Sequence, residues 1–454
     1  MLDFLRMHFF RATYLLNGRR NMLRIYDKFK KSQYLSESEL QEIRRKKMKS
    51  LISYSYENVR YYRDHFRKIG IHPSDLKFPD DIDKLPVMKK EDIQNMRDLL
   101  SSSQLKSMKY IQNNTSGSTG IPLKFYQSSN YLDHSDAGRL LCWYNYPGFE
   151  VGTKVATIWG GKTEYNTLRR FVKPRWSRMK GVLNTDAELI TQEKMVDYSR
   201  RIFEFRPKII RGFVSSLLKL TDHFDEDYLK TYRPEAIISS AETLTEQNRR
   251  TIEEFFGVKV YNSYGCREVS QIAMECGQHQ GMHEISENNY IEILDDDFEP
   301  VSDGEVGRIV VTNLNNYAMP FIRYDICDIA EWSDVNGCEC GRNSRMLESV
   351  YGRKNESIYT RDGKIFDAML IMKLFSETKP YTDIKQFQVI QSDFDSIEIL
   401  IVPRDRSIPF EGDIMVNDLR KHTDDFRNIS FRIVDDVIRT KSGKVNLVIS
   451  EVGE

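Results

Sequence analysis

The sequence predicts an α/β protein: a large layered N-terminal domain with a helical front section, followed by a small, mobile α+β C-terminal domain. Three observations carry this. Residues 36 to about 103 read as charged helix, β-rich runs then alternate with longer helical ones, and after Arg353 the pattern restarts. A chain of 454 residues exceeds one ordinary core. We divide it at 1–105 (helical front section), 106–352 (core of the large domain) and 353–454 (C-terminal domain).

Composition narrows the class. Apolar residues make up 40% and aromatics 11%, enough for a folded core, and charged residues reach 30% without a low-complexity tract. Lys plus Arg and Asp plus Glu both number 67, so no net field draws the chain to nucleic acid. The start, "MLDFLRMHFFRATYLLNGRR", is apolar but interrupted by Asp3, Arg6 and Arg11 before a membrane span accumulates. We read it as a docked helix, and prefer core packing for Phe4, Phe9, Phe10 and Leu15 over peripheral membrane binding. Without a secretory signal the six cysteines are expected to be reduced and the protein cytoplasmic.

The elements follow in order. Ser36 or Ser38 caps a helix with acidic residues in its first turn. "KVATIWGG", "KIIRGF" and "AIISSAE" read as strands alternating with helices such as "TEQNRRTIEEFFG", while "HEISENNYIEILDD" and "EVGRIVVTNL" carry the period-two pattern of antiparallel strands. In the last domain "FDAMLIMKLFSET" and "GDIMVNDLRKHT" read as helices, and "KQFQVIQ", "SIEILIVPR" and "ISFRIV" as strands. No internal repeat is present.

The motif that raises function is "TSGSTG". Thr115, Ser116, Gly117, Ser118, Thr119 and Gly120 offer backbone N–H groups and hydroxyls to an anion, although the spacing of a Walker loop is absent. Beyond it lie "SSAETLT" around Glu242, "VYNSYGCREVS" at 260–270, "MPFIRYDICD" at 319–328, "GRKNES" at 352–357 and "RTKSGKVN" at 439–446. In order and spacing these stretches resemble the acyl-adenylate-forming superfamily, and specifically its branch similar to phenylacetate–CoA ligase and to relatives found with surface-polysaccharide biosynthesis.

The resemblance implies a role for each position. Thr115, Ser116, Ser118 and Thr119 would hold the β- and γ-phosphates of ATP. The backbone of Ser240, Ala241 and Glu242 would line the adenine, and Tyr264 would stack on it. Glu268 would hold Mg²⁺ against the α-phosphate, a task one carboxylate can perform alongside phosphate oxygens. Asp328 would accept from the ribose hydroxyls, and Arg353 would reach the nucleotide from a hinge. Lys444 would be the catalytic lysine, neutralising charge between attacking carboxylate and α-phosphate. The chain departs from the pattern at Cys327, where the family has glycine, at Asn355 or Glu356 for the hinge acid, and at Cys266 and Arg267.

A second constellation sets Cys276 and His283 in one loop and Cys338 and Cys340 in another, a spacing compatible with a closed Cys3His zinc site of structural type. His279 competes with His283 for the fourth place. Cys142 reads as core.

The implied reaction is attack of a carboxylate on the α-phosphorus of ATP, giving acyl-AMP and pyrophosphate, then transfer to coenzyme A. An amino sugar or carrier in surface-polysaccharide assembly is the alternative acceptor, and a non-catalytic nucleotide-binding relative is a third reading. Trp159, Gly160 and Gly161, with Gly212 and Phe213, are candidates to wall the acyl pocket, which would suit an aryl acid or a small hydroxy or amino acid. The basic run at 168–180 could meet an anionic acceptor. A homodimer is the family expectation.

Overall fold

The computed structural model describes residues 2–114, 123–159, 177–186, 191–335, 337–353, 358–361, 365–366, 384–404, 416–417, 420, 426–440 and 445–452. The helical front is as expected: α1 (Leu2–Leu16), α2 (Arg20–Ser32), α3 (Glu37–Asn58), α4 (Arg60–Ile69) and α5 (Lys90–Leu100). Ser36, not Ser38, caps α3. Its hydroxyl accepts from the Glu39 N–H at 3.4 Å while the Glu39 carboxylate accepts from the Ser36 N–H at 2.9 Å, a reciprocal capping box. In α1, Phe10 is buried and Phe9 half-buried, whereas Phe4 and Leu15 are exposed, so the core-packing reading holds for only part of the apolar face. Among the described residues no helix is long and apolar enough to cross a membrane.

The strands in chain order are β1 (Tyr110–Asn114), β2 (Lys124–Ser128), β3 (Val155–Trp159), β4 (Val182–Asp186), β5 (Ile209–Gly212), β6 (Ala236–Ser240), β7 (Val260–Cys266), β8 (Ser270–Glu275), β9 (Met282–Glu284), β10 (Asn289–Leu294), β11 (Val306–Asn313), β12 (Tyr324–Trp332) and β13 (Met346–Arg353). Then come β14 (Ile358–Tyr359), β15 (Ile365–Phe366), β16 (Ile384–Gln391), β17 (Ser396–Pro403), β18 (Asn428–Ile433) and β19 (Val448–Ser450). Helices α6 (Ser129–Leu140), α7 (Gln192–Phe205), α8 (Val214–His223), α9 (Glu226–Leu229) and α10 (Glu246–Phe256) fill the intervals.

Contacts divide the chain into two compact units, residues 1–152 with 263–350, and residues 153–262 with 351–454. In the first, the strand order is β10-β11-β12-β13-β9-β8-β7, with antiparallel pairing of β10 with β11 and of β7 with β8. Met48, Leu51 and Ile52 of α3 and Tyr62 and Phe66 of α4 form one apolar cluster with Ile309, Val311, Tyr324 and Trp332 of the sheet. Each such side chain taken from water contributes about 1.5–3 kcal/mol, which fixes the front helices to the strands that carry the site.

In the second unit β6, β5, β3 and β4 are parallel neighbours, as the αβ alternation predicts. Ile158, Ile210 and Ile237 of those strands pack with Ile202 of α7, Leu217 of α8 and Ile252 of α10. The C-terminal strands form their own sheet, ordered β18-β17-β16-β19, with a separate core of Val389, Ile399, Ile401 and Val448. Of the two segments read as C-terminal helices, "FDAMLIMKLFSET" opens on Phe366 in strand β15 and otherwise lies outside the described residues, and of "GDIMVNDLRKHT" only residues 416–417 and 420 are described, as helix.

A buried ion pair ties α3 to β9. The Arg44 guanidinium contacts Glu284 and Glu37, and the Arg44 and Glu284 side chains are 7% and 1% exposed. Burial pushes the Glu284 carboxyl up, opposed by Arg44. Removing one partner strands the other charge in the core. Arg44→Met is therefore expected to lower the unfolding free energy by about 3–5 kcal/mol in urea denaturation.

Candidate active site

Strands β7 and β8 pair out of step. The register shifts between Tyr264 and Gly265, and a Cβ on Gly265 would collide with the Ser270 carbonyl oxygen, so only glycine fits the bulge. Gln271 holds the distorted region, its Nε2 donating to the Ser263 hydroxyl at 2.9 Å and to the Tyr264 carbonyl at 2.9 Å. From this platform the Tyr264 hydroxyl donates to Asp328 Oδ2 at 2.6 Å. Two motif residues 64 positions apart thus meet on adjoining parts of one unit.

Glu268 sits on the turn between the same strands. Its carbonyl oxygen accepts from the Tyr131 hydroxyl at 3.2 Å and from Gln127 Nε2 at 3.3 Å, and its carboxylate accepts from the Tyr324 hydroxyl at 3.4 Å. Burial, then the nearby Glu268 charge, pushes the Tyr324 phenol well up, so it remains a donor to that carboxylate. Tyr264, Glu268 and Asp328 are all half-buried.

Cys327 answers the question its sequence position raises. It adopts φ +63°, the left-handed conformation that glycine occupies readily. Asp325 stabilises the turn: Oδ1 accepts from the Cys327 N–H at 2.8 Å while Oδ2 accepts from Arg308 at 2.7 Å. The turn takes a conformation suited to glycine although a cysteine stands there. The Cys327 thiol is pushed up to about 12 by burial, then by Asp325 and Asp328, so it is neutral.

In the other unit, Ser240 ends β6 and Ala241 takes φ +69°, another left-handed residue at a motif position. Glu242 turns its carboxylate to Ser215, accepting from its N–H at 2.7 Å and its hydroxyl at 2.9 Å. Burial pushes the Glu242 carboxyl up, opposed by these hydrogen bonds. Trp159 and Phe213 lie with ring centroids 4.7 Å apart, and Gly212 is buried beside Phe213, so these candidate acyl-pocket residues come together. Buried Arg211 adds a cation 5.7 Å from the Trp159 ring, a feature sequence reading passed over. Residues 115–120, Gly160, Gly161 and Lys444 lie outside the described residues, as does the Arg353 side chain. The basic run at 168–180 is described only from residue 177.

The cysteine–histidine constellation closes. The ligand atoms of Cys276, His283, Cys338 and Cys340 all lie within 4.8 Å of one another. Cys276 Sγ is 3.6 Å from Cys338 Sγ, and Cys340 Sγ is 3.4 Å from His283 Nε2. Bonds of about 2.3 Å to sulfur and about 2.0–2.1 Å to nitrogen in a tetrahedron give donor edges of about 3.5–3.8 Å, so the spacing suits a metal of that size. Gln278 and Arg342 aim backbone N–H groups at Cys276 and Cys340, each at 3.5 Å, and such donors favour thiolates. His283 Nδ1 lies 3.3 Å from the Ser344 carbonyl, leaving Nε2 toward the cysteines. His279 is turned instead to Glu275, at 3.2 Å.

Residues 358–451 match the model of the CapK C-terminal domain. The chain is 25% identical to phenylacetate–coenzyme A ligase of Thermus thermophilus over 373 residues, 77% of this chain and 79% of that protein. It is 22% identical to protein CapK of Staphylococcus aureus over 422 residues, 91% of this chain and 90% of that one. A crystal structure of 2-hydroxyisobutyryl-CoA ligase in the postadenylation state superposes with a TM-score of 0.73 at 16% identity, covering 92% of this chain and 91% of that one. Fold and motif order together define an adenylate-forming ligase. Within that superfamily most of the chain is similar to phenylacetate–CoA ligase and to CapK, and its C-terminal part matches the CapK C-terminal domain.

The left-handed turn offers a test. Valine cannot adopt φ +63° without a clash, whereas glycine can. Cys327→Val is expected to lose about 1–2 kcal/mol more stability than Cys327→Gly, read from paired urea titrations.

Proposed function

We propose that the protein activates a carboxylic acid with ATP, forming acyl-AMP and pyrophosphate, and passes the acyl group to coenzyme A. The observation that carries the site assignment is the 2.6 Å hydrogen bond between Tyr264 and Asp328. It couples the residue assigned to the adenine with the one assigned to the ribose, so a nucleoside meets a preset surface and little ordering is left for binding. Glu268, braced through its carbonyl, presents a carboxylate suited to Mg²⁺ on the α-phosphate. Residues 115–120 are assigned to the departing phosphates and Lys444 to the charge that builds between carboxylate and phosphorus. Since an acyl phosphate anhydride hydrolyses readily, water must be excluded until the acceptor arrives.

Trp159 and Phe213 support an aryl or small hydroxy acid as the activated group. A second acceptor, an amino sugar or carrier of surface-polysaccharide assembly, rests only on the resemblance of the motifs to that branch of the superfamily. The Cys3His cluster is assigned a structural zinc, because four protein donors fill a tetrahedron and leave no position for substrate.

Two measurements test this. Acid-dependent ATP–pyrophosphate exchange is expected in the wild type and should fall about 10²–10³-fold in Lys444→Ala, the size of losing one placed electrostatic group. Exchange that needs no acid, or that survives Lys444→Ala undiminished, would contradict the mechanism. Protein purified without chelator should carry zinc that Cys338→Ser removes, with a lowered Tm, and full metal content in that variant would refute the cluster.

A further inference from the structure

Outside the contacts assigned to the nucleotide, one carboxylate gathers donors from two distant segments. Glu242 Oε2 accepts from the Ser215 N–H, and Oε1 accepts from the Ser215 hydroxyl and, at 2.7 Å, from the Val445 N–H. Ser215 lies in the first turn of α8, whose N-cap position is Phe213, a side chain with nothing to accept with. Glu242 supplies the missing acceptor, with the charge the helix dipole favours there.

The same cluster reaches the segment before Val445. Arg439 Nη1 donates to the Ser215 hydroxyl at 2.6 Å, and Arg439 Nε lies 3.2 Å from Asp436. Asp436 in turn pairs with Lys219 at 2.5 Å, one turn along α8 from Ser215. Arg439 and Val445 face each other as an antiparallel bridge, so they are the two feet of a hairpin. From the C-terminal sheet, buried Gln388 of β16 holds the hairpin independently, accepting from the Ile438 N–H at 2.9 Å and donating to the Asn446 carbonyl at 2.9 Å. One hold is internal to the C-terminal sheet and its hairpin; the other, through Glu242 and Ser215, joins the feet to α8.

We propose that Glu242, with Ser215 and Arg439, is a positioning residue that clamps both feet of this hairpin for the acyl-adenylate-forming step, acting through Lys444, the neighbour of Val445 in sequence. The inference rests on the AMP-forming reading above and deepens it. Glu242 spends its carboxylate on three protein donors, so lining the adenine falls to the main chain of residues 240–242 while the side chain serves the hairpin. A displacement of about 1 Å at a reacting group costs up to about 10²-fold in rate, so a foot released from its acceptor is enough to register.

The test is a double-mutant cycle in acid-dependent ATP–pyrophosphate exchange with the full chain: wild type, Glu242→Ala, Lys444→Ala and the pair. Glu242→Ala should lower kcat about 10–100-fold with little change in KM for ATP, and the pair should be no slower than Lys444→Ala alone, since removing the lysine removes what Glu242 positions. Glu242→Gln keeps one acceptor oxygen for Val445 but turns an N–H group toward the Ser215 N–H, and should fall between. Thioester formation from supplied acyl-adenylate should be retained in Glu242→Ala, which also shows that the variant folds; were Glu242→Ala insoluble, Glu242→Gln and Ser215→Ala carry the same cycle. A fully additive loss in the pair, or a raised KM for ATP at unchanged kcat, overturns the inference and leaves the AMP-forming reading standing. Wild-type protein without exchange overturns both.

Discussion

The candidate nucleotide site depends on a break in register between Tyr264 and Gly265. A regular strand there would carry its side chains straight on in alternation; the bulge re-aims Tyr264 and sets up the turn that carries Glu268. The bulge is possible only because residue 265 has no Cβ to press on the Ser270 carbonyl, and Gln271 then satisfies the polar groups the distortion disturbs. The Tyr-Gly pair is thus a steric requirement before it is a functional motif.

Much of this was legible in the sequence. The αβ alternation located β3, β5, β6 and α10, and period-two patterning located β10 and β11, because burial on one face or two leaves a direct trace in residue type. The order of short motifs brought Tyr264, Glu268 and Asp328 under one hypothesis, and the structure sets Tyr264 against Asp328. Cysteine and histidine spacing named the four donors that converge, and even the competition between His279 and His283 turned on something sequence does not carry, the direction of a ring after a left-handed turn at His279.

What stayed hidden is instructive for the same reason. The partner of Glu242 is a backbone N–H about 200 residues away, and a backbone donor looks alike at every position of a sequence. Gln127, Tyr131 and Gln271 brace the site through carbonyl oxygens, again leaving no pattern of residue types to find. The retention of the glycine-like turn at Cys327 was equally invisible, since it depends on Asp325 lying close enough to bind the Cys327 N–H.

Among the described residues, α8 and α10 meet the C-terminal segment through hydrogen bonds and ion pairs that include Asp222 with Lys385, Gln247 with the Ile384 carbonyl, Thr251 with Arg404, Lys219 with Asp436, and the Glu242 cluster. Among the described residues the apolar clusters on the two sides are separate. Water can take over part of the partly exposed pairs, Lys385 with Asp222 and Lys219 with Asp436, whereas buried Ser215 makes the Glu242 contacts costlier to leave unmade. Among the described residues, parting these surfaces would bring charged and hydrogen-bonding groups to water and leave the two apolar clusters within their own layers.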